Sequence, residues 1–332
     1  MDPLTQGVFG SVASQQFAKK QHFILATLLG FLSGIAPDLD ILIRSDTDAL
    51  LALEYHRQFT HALVFIPVGG LLCATFFYFT IAKRVGLSFK LTWLFCGLGY
   101  ATHGLLDACT TYGTQLLWPF SNARFAWNTI SIIDPLLTLP LSILIILAAV
   151  KKSRRVAVIA LVWIIIYSSV GVIQRERAEA IGIALAQSRG HDPNELEAKP
   201  SFANLLVWKI VYTTEHKYYV DAVKVGISHK IYEGASVQRL DVEKAFPWLD
   251  LGSQQAKDIE RFGWFSNGYI ALSPTMPNRI IDIRYSMIPN EIRGLWGIEL
   301  DASKAHNEHT EYVVDRTRDD ETINKLWRMI VD

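Results

Sequence analysis

The sequence predicts an α-helical integral membrane domain of about five spans, followed by a small α+β extracytoplasmic domain. Three observations lead there. Half of the 332 residues are hydrophobic, and mean hydropathy is positive. Charge is unevenly shared: residues 1–173 hold 12 Lys and Arg with 8 Asp and Glu, whereas residues 174–332 hold 20 and 24. The sparsely charged part also contains apolar stretches near the roughly 20 residues that a helix needs to cross a bilayer. The chain therefore divides into a membrane-embedded domain at 1–173, a helix and linker at 174–200, and a soluble α+β domain at 201–332. Net charge is zero, so no nucleic-acid partner is expected.

The spans follow in order. The first is 22–36 (HFILATLLGFLSGIA), which the mildly apolar 8–18 region extends backward. Lys19 and Lys20 give it the positive flank of a signal peptide. Pro37, Asp38 and Asp40 follow it, not a small-residue cleavage site, so it is kept as a membrane helix. Residues 61–82 contain no Asp, Glu, Lys or Arg. Residues 91–106 are short and borrow flanking residues. Residues 129–150 and 156–173 complete the set. Basic residues cluster at 19–20, 83–90 and 151–155, nine in all, against Arg44, Arg57 and Arg124 in the opposite loops. The positive-inside rule then puts the N-terminus in the cytoplasm and the C-terminal domain outside. The localisation expected is the inner membrane of a bacterium. Gly30 and Gly34 are spaced for close helix packing. Tyr112, Trp118 and Trp127 read as interfacial anchors. Cys73, Cys96 and Cys109 lie in or beside apolar segments and read as small buried hydrophobes, not as a disulfide framework.

This topology brings six metal-capable side chains to one membrane face: Asp38, Asp40, His56, His61, His103 and Asp107. Ionisable groups are costly near hydrocarbon and rarely occur there without a partner. His103 and Asp107 are four apart and share a helix face. Pro37 is expected to end the first helix, and in an extended turn the carboxylates of Asp38 and Asp40 point the same way. His56 and His61 bracket a helix start with Thr60 as a candidate N-cap. Arg57 has the fork to bind a phosphate or carboxylate. A lone membrane histidine usually makes an interhelical hydrogen bond, and a lone Asp after a span is usually a solvated end. Six together are better explained by a shared cation. Three imidazoles and three carboxylates suit a divalent metal, Zn²⁺ or Mn²⁺ foremost, with room for one ion or two. Asp134, before Pro135, reads either as a helix N-terminal acid or as a general base.

The quoted stretches resemble the YdjM/YbcI-type membrane-bound, metal-dependent hydrolases of bacteria. The similarity rests on MDPLTQG at 1–7, PDLD at 37–40, HRQFTH at 56–61 and HGLLDACTTYGTQLLWPFS at 103–121. It covers about the first 140 residues. It implies a helical membrane protein with a metal-dependent hydrolase activity, and Asp38, Asp40, His56, His61, His103 and Asp107 as ligands or their immediate neighbours.

In the polar half, 174–190 reads as a short amphipathic helix and 191–200 as a linker. The runs LLVWKIVYTT, YYVDAVKVGI, RIIDIRYSMI, LWGIEL and EYVVDRT suit an antiparallel sheet, and 247–265 includes one helix. His306 and His309 read as a solvated surface pair. The function expected is hydrolysis of an ester or phosphoester by metal-activated water, with Arg57 and Asp134 as candidate catalytic residues and membrane lipids as partners. The substrate is a small molecule or a lipid. The alternatives are an ion or solute transporter and a scaffold with a structural metal.

Overall fold

A computed structural model describes residues 1–315 and 320–332, so Arg316 and Thr317, the end of the last strand-like run, lie outside the described residues. The chain forms two compact units. One comprises 1–42 and 55–172, the other 43–54 and 173–332. Residues 43–54 lie inside the stretch assigned above to the membrane domain, yet they cluster with the second unit.

The first unit is helical. Its elements are α1 (Pro3–Gln15), α2 (Phe23–Ile35), the end of the short α3 (Leu51–Tyr55), α4 (Ile66–Thr80), α5 (Phe89–Ala108), α6 (Pro135–Lys151) and the first part of α7 (Arg154–Ser188). Caps set several of the starts. The side chain of Asp2 accepts from Thr5 N, that of Ser88 from Leu91 N and that of Asp134 from Leu137 N. The 8–18 region does not extend the first span. It belongs to the separate helix α1, most of which is buried. Glycines let α1 and α2 touch backbone to backbone. A Cβ on Gly30 would lie 2.4 Å from the Gly10 carbonyl oxygen, and one on Gly34 would lie 2.7 Å from that of Gln6.

Among the described residues, three helical stretches are long and apolar enough to cross a membrane: Lys20–Leu42, Leu63–Thr80 and Arg154–Ser188. The count of five is not reached on length and composition, for two local reasons. Helix α5 mixes Thr92, Tyr100, Thr102, His103 and Asp107 among its apolar residues. Helix α6 begins only at Pro135 and is 17 residues long. The spanning helices keep large apolar side chains on their outside, such as Leu72, Phe76 and Phe79 on α4 and Ile159, Ile165 and Ile166 on α7.

The second unit holds two antiparallel four-stranded meanders. The first has β1 (Glu195–Pro200), β2 (Val207–Thr213), β3 (Lys217–Val225) and β4 (His229–Gln238) in sequence order. The second has β5 (Ile270–Leu272), β6 (Arg279–Asp282), β7 (Trp296–Glu299) and β8 (Glu311–Val314). Val211, Tyr218 and Val220 of the first sheet share one apolar cluster with Tyr269, Ala271, Ile281 and Ile283. Helices α8 (Val242–Ala245), α9 (Gln254–Phe265) and α10 (Asp320–Val331) complete the unit. Two expectations change here. Residues 174–188 are not a separate helix but the continuation of α7. The 191–200 linker contains β1, which pairs along the whole of β2, a strand buried at every position.

Candidate metal centre

Four of the six singled-out side chains bring one ligand atom each to a common point. Asp38, His61, His103 and Asp107 have those atoms all within 4.8 Å of one another. His61 Nε2 and His103 Nε2 are 2.9 Å apart. Asp38 Oδ1 lies 3.5 Å from the first and 3.3 Å from the second. Asp107 Oδ2 lies 3.3 Å from His61 Nε2 and 3.8 Å from His103 Nε2. Three of the four side chains are fully buried, and that of Asp38 is 20% exposed.

Local structure explains the convergence. Helix α2 ends at Ile35, just before Pro37 as expected, and the chain continues not as an extended turn but as a 3-10 turn over Ala36–Leu42. An extended turn would aim Asp38 and Asp40 the same way. The 3-10 turn separates them, and they take different tasks. Asp38 faces the two Nε2 atoms. Asp40 turns to the 56–61 segment, where Oδ1 meets His56 Nδ1 at 2.8 Å and Oδ2 accepts from Arg57 N at 3.0 Å and Thr60 Oγ1 at 2.9 Å. His61 Nδ1 is 3.3 Å from the same Oδ2. Thr60 is therefore not a helix cap. It lies in a short 3-10 turn, and its hydroxyl is bound to Asp40. His61 can approach α5 because residue 104 is glycine: a Cβ there would lie 2.2 Å from the His61 carbonyl oxygen.

The proton positions follow from the partners. His103 Nδ1 lies 2.6 Å from the Gly34 carbonyl, which only accepts, so Nδ1 carries the proton. His61 Nδ1 lies 2.9 Å from the Thr60 hydroxyl, whose own proton goes to Asp40 Oδ2, so Nδ1 is the donor there. Each ring then offers an Nε2 lone pair at the shared point. One extra proton on a ring would be shared among acceptors 2.9–3.5 Å away, bonding only one of them well. A divalent ion serves all four atoms. Two ligand nitrogens about 2.0–2.1 Å from one ion stand roughly 2.9–3.4 Å apart for angles between about 90° and tetrahedral, and the 2.9 Å between the two Nε2 atoms is at the short end of that range. Asp107 supplies a second indication. Its Oδ1 accepts from Gln6 Nε2 at 2.8 Å and from the Met1 amine. Its buried Oδ2 has no hydrogen-bond donor, although Arg57 Nε lies 3.0 Å away without the alignment of a bond. Arg57 offsets its charge, and the oxygen keeps lone pairs to which no N–H or O–H is aligned. The residues present fit a divalent metal with mixed nitrogen and oxygen ligands.

The surrounding groups fix the ligands in place. Asp40 holds the Nδ1 side of His61, the carboxylate–histidine arrangement that orients metal ligands. It binds His56 in the same way, and the remaining Nε2 of His56, on a ring 24% exposed, has no hydrogen-bond partner among the described residues. Asp38, Asp40 and His56 form a second group of close ligand atoms. Arg57 is buried in a left-handed backbone conformation, with φ 65°. Its Nη1 donates to Thr110 Oγ1, and its guanidinium lies 4.7 Å over the Tyr112 ring. Asp134 stands elsewhere. It caps α6, and the Tyr167 hydroxyl lies 2.7 Å from both its oxygens. That is the geometry of a helix cap, and among the described residues Asp134 belongs to neither metal-capable group. Sequence reasoning assigned no role to Gln6 or to the Gly34 carbonyl. Gln6 is one of several buried polar residues of α1, with Thr5, Ser11, Ser14 and Gln15, so nothing in the sequence set it apart.

A sequence model of the YdjM inner membrane protein family matches residues 1–178, more than half of the chain. The chain belongs to the YdjM family. The inner membrane protein YbcI of Escherichia coli (strain K12) is 37% identical over 107 residues, which is 31% of this chain and 60% of that one. The uncharacterized protein YfhP of Bacillus subtilis (strain 168) is 25% identical over 269 residues, 79% of this chain and 77% of its own length. No solved structure matches. The YdjM match encloses every residue of both metal-capable groups. Together with the helices of spanning length, it makes this chain an integral inner membrane protein.

Proposed function

We propose that this YdjM-family chain is a membrane-bound metal-dependent hydrolase that cleaves an ester or phosphoester of a lipid or lipid-linked substrate. One observation carries the reading: two imidazole Nε2 atoms face each other at 2.9 Å between two carboxylates. Asp38, His61, His103 and Asp107 would hold the ion, with Zn²⁺ or Mn²⁺ the best match to the donors. A divalent ion in such a site acts as a Lewis acid and lowers the pKa of water toward about 7. Asp40 keeps His61 in its ligating tautomer. His56 presents a basic nitrogen at the half-open rim, where it can take or return a proton. Arg57 offsets the charge of Asp107 and holds that side of the site rigid against Tyr112.

Two features favour catalysis over a structural metal or ion transport. Asp38 and His56 leave one side of the cluster open, whereas a structural site is closed by protein ligands. The metal-capable groups also share one face of the membrane in the topology we infer, with the N-terminus in the cytoplasm, five spans and the second unit outside. The proposed access is lateral. Leu39, Ile41 and Leu42, beside Asp38, are all more than half exposed and apolar, a surface suited to acyl chains.

The test is metal analysis of detergent-purified protein coupled to a hydrolysis screen on phosphodiesters and phospholipids. We expect close to one or two divalent ions per chain, and metal-dependent turnover that His103→Ala and Asp107→Ala abolish while both variants still insert. Full activity in both variants on an identified substrate, or a purified protein that takes up no divalent ion, would refute the reading.

A further inference from the structure

The second unit carries an apolar rim with no role in hydrolysis. The apolar run of α7 ends at Ile173, and QRERAEA follows. The first polar turn of that helix is tied to two loops. Gln174 Nε2 donates to the Leu205 carbonyl at 3.1 Å and the Val225 carbonyl at 2.8 Å. Arg177 Nη1 donates to Gln174 Oε1 at 2.7 Å, and its Nη2 donates to the Gly226 carbonyl at 2.6 Å. Val225 N donates to the Leu206 carbonyl at 2.7 Å, which joins the loops to each other. Leu205, Val225 and Gly226 therefore lie beside the first turn after the apolar run, and bring the 201–206 loop and the 226–228 hairpin tip to that end of it. The headgroup layer on each side of a bilayer is about 5–7 Å thick.

These loops expose apolar side chains where a loop facing water would be polar. Phe202 and Leu206 are 38% and 40% exposed, and Ile227 is fully exposed. The exposure is built in. Ala203 is held in a left-handed conformation at φ 65°. The buried Asn204 donates to Ser201 Oγ and the Phe202 carbonyl and accepts from Leu206 N and Val207 N. That bracket turns Phe202 and Leu206 outward. Charge gives a second, independent indication. Lys224 and Lys230 are direct cross-strand partners beside the hairpin tip. Like charges in that position repel, and an anionic surface between them relieves the repulsion.

We propose that the 201–206 loop and the 226–228 tip form a lipid-contacting rim, with Phe202, Leu206 and Ile227 seated among the headgroups of the bilayer that α7 crosses and Lys224 and Lys230 facing lipid phosphates. The rim pins the second unit to the membrane surface, independently of what the metal centre hydrolyses.

The full chain, reconstituted in phosphatidylethanolamine and phosphatidylglycerol vesicles doped with a diazirine-bearing phosphatidylcholine, tests this by photolysis and peptide mass spectrometry. We expect lipid adducts on the 201–206 and 226–228 peptides as well as on α7. A Phe202→Ser, Leu206→Ser, Ile227→Ser variant should lose the loop adducts at least several-fold and keep those on α7. The wild-type result stands even if this variant folds poorly. Labelling of α7 without the two loops, or protein–protein crosslinks in place of lipid adducts at the loops, overturns the proposal.

Discussion

Two acidic clusters in this molecule look alike as lists of residues and differ in physics. In the first unit, Asp38, Asp107, His61 and His103 converge. In the second, Asp48, Glu54, Asp258 and His309 surround Arg261. That guanidinium reaches Glu54 Oε1 at 2.6 Å, Asp48 Oδ2 at 2.8 Å and Asp258 Oδ1 at 2.8 Å. Asp258 Oδ2 also accepts from Thr310 N, and His309 Nδ1 lies 2.9 Å from it. The protein supplies the cation there, and each of the three acids is bound to it. In the first cluster Arg57 pairs with Asp107 alone, without the alignment of a bond to Oδ2, and two imidazole Nε2 atoms face each other at 2.9 Å. What makes the first cluster able to hold a cation is thus what its acceptors still lack, not how many acids are present.

The sharpest way to break this contrast is to remove a ligand from the first cluster. His61→Ala and His103→Ala should each lower bound metal to less than about a tenth of wild type, and turnover with it, as read by elemental analysis and the hydrolysis assay. A smaller loss should follow Asp40→Asn, because Asp40 orients ligands. An outer-shell partner of this kind is worth about 10–100-fold in metal affinity, measured by competition with a chromogenic chelator. Arg261→Ala should leave metal content unchanged and instead destabilise the second unit by about 2 kcal/mol, since it strands three acids, two of them partly exposed. Denaturation followed with and without chelator separates the two effects.

The smallest effect concerns Lys209. Burial pushes its ammonium down to about 7, against the opposing pull of Asp282, and its Nζ donates to Ser286 Oγ and the Glu291 carbonyl. Its folded pKa lies below its unfolded value, so between pH 7 and about 10 the unfolded chain binds more protons. Stability of the second unit should therefore rise with pH across that window, read as a rising Tm. Lys209→Met should flatten the rise.

The sequence made some of this legible and hid the rest for identifiable reasons. The i,i+4 spacing of His103 and Asp107, and the placement of three segments at one membrane face, pointed to residues that do converge. The separate tasks of Asp38 and Asp40 were hidden, because a 3-10 turn and an extended turn around Pro37 read the same. Asp134 carried both a capping signal and a catalytic one, and the structure shows the cap, with the Tyr167 hydroxyl on both its oxygens. Strand β1 was masked by the turn residues at 191–194 and by Pro200. Its pairing comes from the need to cover β2, which local propensity does not record. His309 was read as solvated, yet Asp258, 51 residues away, holds it half-buried.

X-ray absorption at the edge of the metal that co-purifies with the full chain tests the central claim most directly. The account predicts a shell with two imidazole nitrogens and carboxylate oxygens at about 2.0–2.2 Å, with the imidazole signal lost in the His61→Ala, His103→Ala double variant. A shell of oxygen alone, or one that the double variant leaves unchanged, would contradict it.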